Sequence, residues 1–380
     1  MSLLLTEDQQ LIKNMVREFA ENEVRPIAAQ IDREHRYPLA TVKRMGELGI
    51  MGMTIPEKYE GSAGDNVSYI IAVEELSRVC ASHGVILSVH MSVCTYPIYL
   101  LGTEAQKKKY LPDLCTGRKI GAFAITEPGA GSDASAQTTT AEKKGDKYII
   151  RGSKIFITNG AYADTFLVLA MTDKPKGIKG GATAFIVEKS FPGFKVGQTE
   201  DKMGICASST TELIFDNMEV PAENVLGTEG EGFKVAMKTL DAGRISIGAQ
   251  AMGIAQGALD AAIEYAKERK QFGQPIAANQ GLQWMLADMA TRTEAARRLV
   301  YHAAAIKDAG QNYGQAGAMA KLFAGETATW VTNKALQIHG GIGYTKSYPV
   351  ERYFRDAKIT EIYEGTSEIQ RIVIARNLLK

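Results

Sequence analysis

The period of the apolar pattern changes twice along this chain, which limits the folds open to it more than any other feature. From Leu3 to about Gly117 apolar residues recur at helical spacing, as in Leu11, Ile12, Met15, Val16, Phe19 and Ala20, until Pro26 interrupts. Past about Gly121 short β-prone runs follow one another: Lys147–Arg151, Lys154–Thr158, Thr165–Thr172, Ala182–Glu188 and Thr210–Asp216. After Pro221 helical spacing returns in three long stretches, about Gly232–Lys270, Gln280–Asp308 and Gln315–His339, with a shorter one near Ser367–Leu379. No helical pattern alternates with the β runs, so βαβ units and a doubly wound sheet are disfavoured and a small antiparallel sheet or barrel is expected. The expected fold is α+β and multidomain: an N-terminal helical domain over 1–118, a middle antiparallel β domain over 119–225, and a C-terminal helical bundle over 226–380. Thr6 with Gln9 and Thr103 with Gln106 have the spacing of capping boxes at helix starts.

Charge and composition remove several classes of function. Lys plus Arg number 44 against 43 Asp plus Glu, so the basic footprint of a nucleic-acid or anionic-lipid binder is missing. Apolar stretches such as Val85–Val89 fall far short of the ~20 residues of a bilayer span, so no transmembrane helix is expected. The N-terminal Met1-Ser2-Leu3-Leu4-Leu5-Thr6-Glu7-Asp8 turns acidic at once, unlike a secretory or transit segment, which predicts a cytoplasmic protein. Cys80, Cys94, Cys115 and Cys206 form no C-x-x-C pair, and His35, His83, His90, His302 and His339 form no H-x-x-x-H pair. Buried thiols and no metal site are the expectation.

Four constellations carry polar groups in unusual company. Phe123-Ala124-Ile125-Thr126-Glu127-Pro128-Gly129-Ala130-Gly131-Ser132-Asp133 combines hydroxyls with glycines that permit close approach of a ligand; it reads equally as a surface turn. It is not a dinucleotide fingerprint, since no G-x-G-x-x-G opens a helix within a βαβ unit. Asp241 and Arg244 share a helix face three residues apart, the spacing of an internal salt bridge or a binding pair. Arg269-Lys270-Gln271-Phe272-Gly273 closes the same stretch as a helix cap or a phosphate grip. Glu364, between Tyr363 and Gly365 in a loop, is either an ordinary surface acid or a carboxylate whose burial in a cleft suits it to general-base work.

Taken together these segments resemble the acyl-CoA dehydrogenase family of flavoproteins along the whole chain. The resemblance rests on FAITEPGAGSD (Phe123–Asp133), KIFITNG (Lys154–Gly160), RKQFG (Arg269–Gly273), QIHGGIG (Gln337–Gly343) and YEGT (Tyr363–Thr366), in family order and spacing. It implies a C-terminal four-helix bundle, noncovalent FAD and a homotetramer. By motif match, Phe123, Ile125, Thr126, Gly131 and Ser132 would line the flavin, with Phe156, Ile157 and Thr158 on its other side. Arg269, Gln271, Phe272, Asn279 and Gln280, with Gln337, Gly340 and Gly341, resemble the residues that hold the pyrophosphate and adenosine, partly across a subunit interface. Thr366 and Glu368 would complete the cofactor site. Ser132, Asp241, Arg244, Tyr363 and Gly365 resemble substrate contacts, Asp241 and Arg244 on the CoA side.

The implied reaction is α,β-dehydrogenation of an acyl-CoA: Glu364 removes the α-proton, and the β-hydrogen leaves as hydride to flavin N5. A carboxylate can remove so weakly acidic a proton only if the thioester carbonyl is polarised, a task the resemblance gives to the Glu364 N–H and a flavin ribityl hydroxyl. Electrons would pass to an electron-transferring flavoprotein. Members that carry their base beside the arginine have a side chain where this sequence has Gly243, so Glu364 stands alone. The positions that grip a distal carboxylate in glutaryl-CoA dehydrogenases are Ser77 and Gly84 here, which disfavours a dicarboxylate. Ser153–Gly160 and Leu240–Arg244 look most like short-chain (butyryl-CoA) dehydrogenases. The same parts would serve an acryloyl-CoA or aryl-enoyl-CoA reductase running in reverse; an acyl-CoA oxidase or a noncatalytic scaffold fits less well.

Overall fold

The computed structural model describes residues 5–380, so the residues Met1–Leu4 used in the N-terminal reading lie outside the described part. Seven helices come first: α1 Glu7–Phe19, α2 Arg25–Arg33, α3 Leu39–Glu47, α4 Asn66–Val79, α5 Ala81–Ser88, α6 Tyr96–Leu101 and α7 Glu104–Cys115. Both capping boxes form, at the starts of α1 and α7. Each satisfies two otherwise free backbone N–H groups through one hydroxyl and one amide.

The run from Ala81 to Leu101, with a π-helical turn over Val89–Thr95 between α5 and α6, is a longer apolar helix than the short stretches in the sequence suggest. By length and hydropathy it could cross a bilayer, but it is 78% buried inside the protein. Its apolar surface is spent on the core instead, and Ser88, His90, Ser92 and Thr95 find hydrogen-bond partners there. His90 Nδ1 accepts the Gly121 N–H at 3.0 Å while Nε2 faces the Leu114 carbonyl at 3.1 Å. Nε2 therefore carries the proton, and burial pushes the ring pKa down to about 4, so His90 is a neutral clip between this helix and the first strand.

The middle of the chain holds β1 Gly121–Ala124, β2 Thr140–Lys144, β3 Lys147–Thr158, β4 Thr165–Met171, the one-turn α8 Gly177–Gly181, β5 Ala182–Glu188, β6 Phe194–Thr199 and β7 Thr210–Pro221. The strand order is β1-β4-β2-β3-β7-β6, with β5 also on β4. The sheet is mostly antiparallel, as expected, but mixed: β1 runs parallel to β4, and β2 meets β4 in parallel at Thr140 and Met171. β1 enters from α7 and leaves into the long Ile125–Thr139 segment, so it joins the sheet through a crossover that periodicity does not reveal. Two runs read separately are the single strand β3, broken in register near Gly152 and again between Lys154 and Ile157.

The rest is helical: α9 Gly232–Glu268, a two-residue hairpin pair β8 Lys270–Gln271 and β9 Gln274–Pro275, α10 Gln280–Asp308, α11 Gly314–His339, α12 Val350–Ala357 and α13 Ser367–Leu378. α9, α10 and α11 pack on one another, α13 packs on α11, and α4 lies against α9. Gly253 and Gly257 make that last approach possible, because a Cβ on either would sit within 2.4 Å of an α4 backbone carbonyl. A continuous buried core thus runs from the N-terminal helices through the sheet to the bundle.

Candidate active site

Glu364 sits where the bundle, the first helices and the loop before α13 converge. Its φ is +52° and that of Gly365 is +94°, two consecutive left-handed residues that turn the chain sharply. The carboxylate leans on α9 at Gly243: a Cβ there would lie 1.9 Å from Glu364 Oε2 and 3.1 Å from Val93 Cγ1. A side chain at 243 and the carboxylate would compete for one space, which is why the missing side chain matters. Oε2 is buried with no hydrogen-bond partner among the described residues. The Glu364 backbone N–H likewise has no acceptor within the described chain. Burial pushes the carboxyl pKa up to about 7, against the opposing charges of Lys321 and Arg244.

Around this turn the other residues are held by specific bonds. Tyr363 OH donates to Gln250 Oε1 on α9. Arg244 Nη1 pairs with Asp241 Oδ1 at 2.5 Å, so the helix-face salt bridge forms, yet the buried Arg244 Nε has no partner. Thr366 caps α13 by accepting the Ile369 N–H, and Glu368 lies exposed in its first turn. Ser88, Ser92 and Ser246 form a buried hydroxyl chain beside Gly243, Ser88 Oγ to Ser246 Oγ at 2.8 Å and Ser246 Oγ to Ser92 Oγ at 3.2 Å. The Tyr69 hydroxyl donates to the Ser88 carbonyl at 3.3 Å.

The segment after β1 is braced against β3 by a buried ion pair that sequence reasoning missed. Lys154 Nζ contacts Glu127 Oε1 at 2.8 Å, the Ile125 carbonyl at 3.1 Å and Gln137 Oε1 at 3.0 Å. Glu127 also accepts the Thr138 N–H and hydroxyl and the Thr139 N–H. Burial raises the Glu127 pKa, but Lys154 and the Thr138 donors outweigh it and hold the carboxyl at about 2. Between these anchors Gly129 and Gly131 face open space, and Ser132 is exposed. The Ile155 N–H donates to the Thr126 carbonyl at 2.9 Å, and the next residue, Phe156 at the β3 bulge, has φ +57° and is 58% exposed, an aromatic ring held outward in a strained backbone. Phe123, Ile125, Thr126 and Thr158 are half-buried nearby in sequence. Ile157 differs: its side chain is in the core, so only its backbone can meet a ligand. The register shift between Lys154 and Ile157 breaks the strand's alternation there, turning Phe156 out while Ile157 stays in the core.

A second group lies elsewhere. Arg269, the residue capping α9, is 26 positions beyond Gly243, roughly 39 Å along the helix at 1.5 Å per residue. With Gly341 it lines a cavity of about 500 Å³ together with Tyr265, Glu268, His339 and Tyr348. Gln271, Phe272, Asn279, Gln280, Gln337 and Gly340 are all exposed, Phe272 by 98%. One chain therefore does not gather both groups around one site.

Helices, a mixed sheet and a helical bundle in that order, with a buried carboxylate where the first helices meet the bundle and, on the sheet, an open Gly- and hydroxyl-bearing segment and an outward aromatic, are the features of a flavin-type oxidoreductase. The chain belongs to the acyl-CoA dehydrogenase family: the family's N-terminal, middle and C-terminal domain models match residues 6–118, 122–218 and 230–379. It is 58% identical over 380 residues to the short-chain specific acyl-CoA dehydrogenase of Clostridium acetobutylicum, covering all of both chains. It is 52% identical to the acryloyl-CoA reductase (NADH) of Anaerotignum propionicum, over 100% of this chain and 96% of the relative. A chain solved in work on the electron-transferring flavoprotein of Acidaminococcus fermentans and flavin-based electron bifurcation is 57% identical, with a TM-score of 0.99 and full coverage of both. The family is FAD-dependent, and the open glycines, the outward Phe156 and the orphaned Glu364 oxygen fit a planar cofactor and a substrate between them.

Proposed function

We propose that this enzyme dehydrogenates a short-chain acyl-CoA at Cα and Cβ, giving the trans-2-enoyl-CoA, with Glu364 as the base. The buried, unpartnered Oε2 of Glu364 against Gly243 carries the reading. An acid in so enclosed a position normally finds a partner, and an unspent acceptor there suits the capture of a proton. The α-proton goes to that oxygen, and the unspent Glu364 N–H polarises the thioester carbonyl as negative charge develops on it. Bound FAD supplies the acceptor for the β-hydrogen and its electron pair. Tyr363, Gly365 and Ser132 bound the acyl end, and Asp241 and Arg244 meet the CoA side, where the buried Arg244 Nε has a donor to offer.

The flavin contacts are Phe123, Ile125, Thr126, Gly131, Ser132, Phe156, Thr158 and the Ile157 backbone, with Thr366 and Glu368. The remote Arg269, Gln271, Phe272, Asn279, Gln280, Gln337, Gly340 and Gly341 hold the rest of the cofactor bound to another subunit of a homotetramer. The separation along α9 and the full exposure of Phe272 support that division. The domains divide near residues 118 and 225. Ser77 and Gly84 support a monocarboxylic substrate, since neither brings a charge to pair with a distal carboxylate. An electron-transferring flavoprotein takes the electrons, a partner suggested by the Acidaminococcus comparison. The acryloyl-CoA reductase relative favours a second reading, the reverse reaction, in which Glu364 gives its proton to Cα.

The pH dependence tests the base. Only the carboxylate accepts a proton, so kcat/KM for butyryl-CoA is expected to rise about tenfold per pH unit up to about 7 and level off above it. A limb at the ordinary carboxylate value near 4.5 would contradict a buried base at this position.

A further inference from the structure

One buried charge close to Glu364 has no part in the mechanism so far. Lys321 lies in the apolar run Ala318-Met319-Ala320-Lys321-Leu322-Phe323-Ala324 of α11 and is only 1% exposed. No carboxylate lies within ion-pair distance of it among the described residues; its ammonium donates instead to the Gly365 carbonyl at 2.5 Å. Gln370 Nε2 donates to the same carbonyl at 2.8 Å and to that of Glu364 at 3.3 Å. Burying an ammonium is strongly unfavourable unless it is compensated, so packing alone does not account for its placement under a strained turn. A left-handed glutamate is strained and persists only when its surroundings hold it.

We propose that Lys321 is the positioning residue of the base: through the Gly365 carbonyl it fixes the left-handed Glu364–Gly365 turn and so holds the carboxylate against Gly243. The inference rests on reading Glu364 as the base. A direct ion pair would have spent the reactive oxygen; bonding to the neighbouring carbonyl supplies a positive charge and leaves Oε2 unpartnered. The other groups facing the carboxylate are Arg244, paired with Asp241, from α9, Tyr69 from α4, and Tyr363 beside it. Glu361 and Glu368 face Lys321 itself. Of these only Arg244 is a second cation, and it is already engaged with Asp241.

The test compares Lys321→Met, Lys321→Arg, Gln370→Leu and Glu364→Gln as FAD-loaded enzymes, by flavin content, melting temperature and the pH profile of kcat/KM with butyryl-CoA. Lys321→Met is expected to keep its flavin, to lose about 10–100-fold in kcat from a misplaced base, and to move the acidic limb to higher pH. Lys321→Arg should restore the limb position and part of kcat, and Gln370→Leu should lower kcat less, without moving the limb. If Lys321→Met does not load flavin, Lys321→Gln decides: wild-type kcat with an unmoved limb in that variant overturns the proposal. A well-loaded Lys321→Met with wild-type kcat and an unmoved limb overturns it directly. Activity surviving in Glu364→Gln would instead overturn the base assignment, so the two failures are separable.

Discussion

Glu364→Gln is expected to lower kcat with butyryl-CoA by about 10²–10⁴-fold while leaving flavin content unchanged, because the amide fills the same space against Gly243 but cannot accept the proton. The same variant has a stability signature of opposite sign. With a folded pKa of about 7 against an ordinary value near 4.5, Glu364 is more readily protonated in the folded than in the unfolded chain. Its contribution to stability is therefore full below about pH 4.5 and is lost as the pH rises through about 7. A glutamine does not titrate, so the variant should gain on wild type between pH 5 and 7, by up to on the order of 3 kcal/mol above that range. Melting curves at pH 5 and pH 8 check it. A variant that is inactive and also less stable at pH 8 would mean that the carboxylate serves the fold rather than the chemistry.

Lys154→Met carries the other large effect. The side chain is completely buried and its ammonium ties Glu127, Gln137 and the Ile125 carbonyl into one cluster. Methionine fills similar space but leaves the Glu127 carboxylate buried without its cation, which typically costs ~3–5 kcal/mol. Because the cluster braces the Ile125–Thr139 segment, flavin should also bind more weakly, measurable as bound flavin absorbance after gel filtration. Glu127→Gln combined with Lys154→Met should recover part of the stability, since both charges are then gone. A lone Lys154→Met with wild-type melting and flavin content would show that the brace is dispensable.

The long helices α9, α10 and α11 were readable to within about two residues because their apolar spacing persists over many turns. β1, β2 and β6 were not marked: Thr-Ala-Glu-Lys-Lys and Phe-Lys-Val-Gly-Gln-Thr are largely polar, and β1, Gly-Ala-Phe-Ala, has no β-branched residue to betray it. Its parallel pairing with β4 joins segments some forty residues apart, which no local pattern encodes. Glu364 was visible as one residue of a motif, yet its proximity to Gly243 depends on a turn that brings together positions from opposite ends of the bundle. Lys154 and Glu127 stand 27 residues apart, and each looks like a surface charge until the fold buries both. Lys321 left a fainter trace, a single charge within an apolar helix, which on its own reads equally as an exposed position.

The most direct test of the central claim is an anaerobic visible spectrum of the FAD-loaded protein before and after butyryl-CoA, with glutaryl-CoA and isovaleryl-CoA alongside. The account predicts that butyryl-CoA bleaches the oxidised flavin band more than either of the others and that Glu364→Gln abolishes the bleaching. A flavin band that no saturated thioester bleaches, in protein whose reduced form an enoyl-CoA reoxidises, would contradict the dehydrogenase direction and favour the reductase reading.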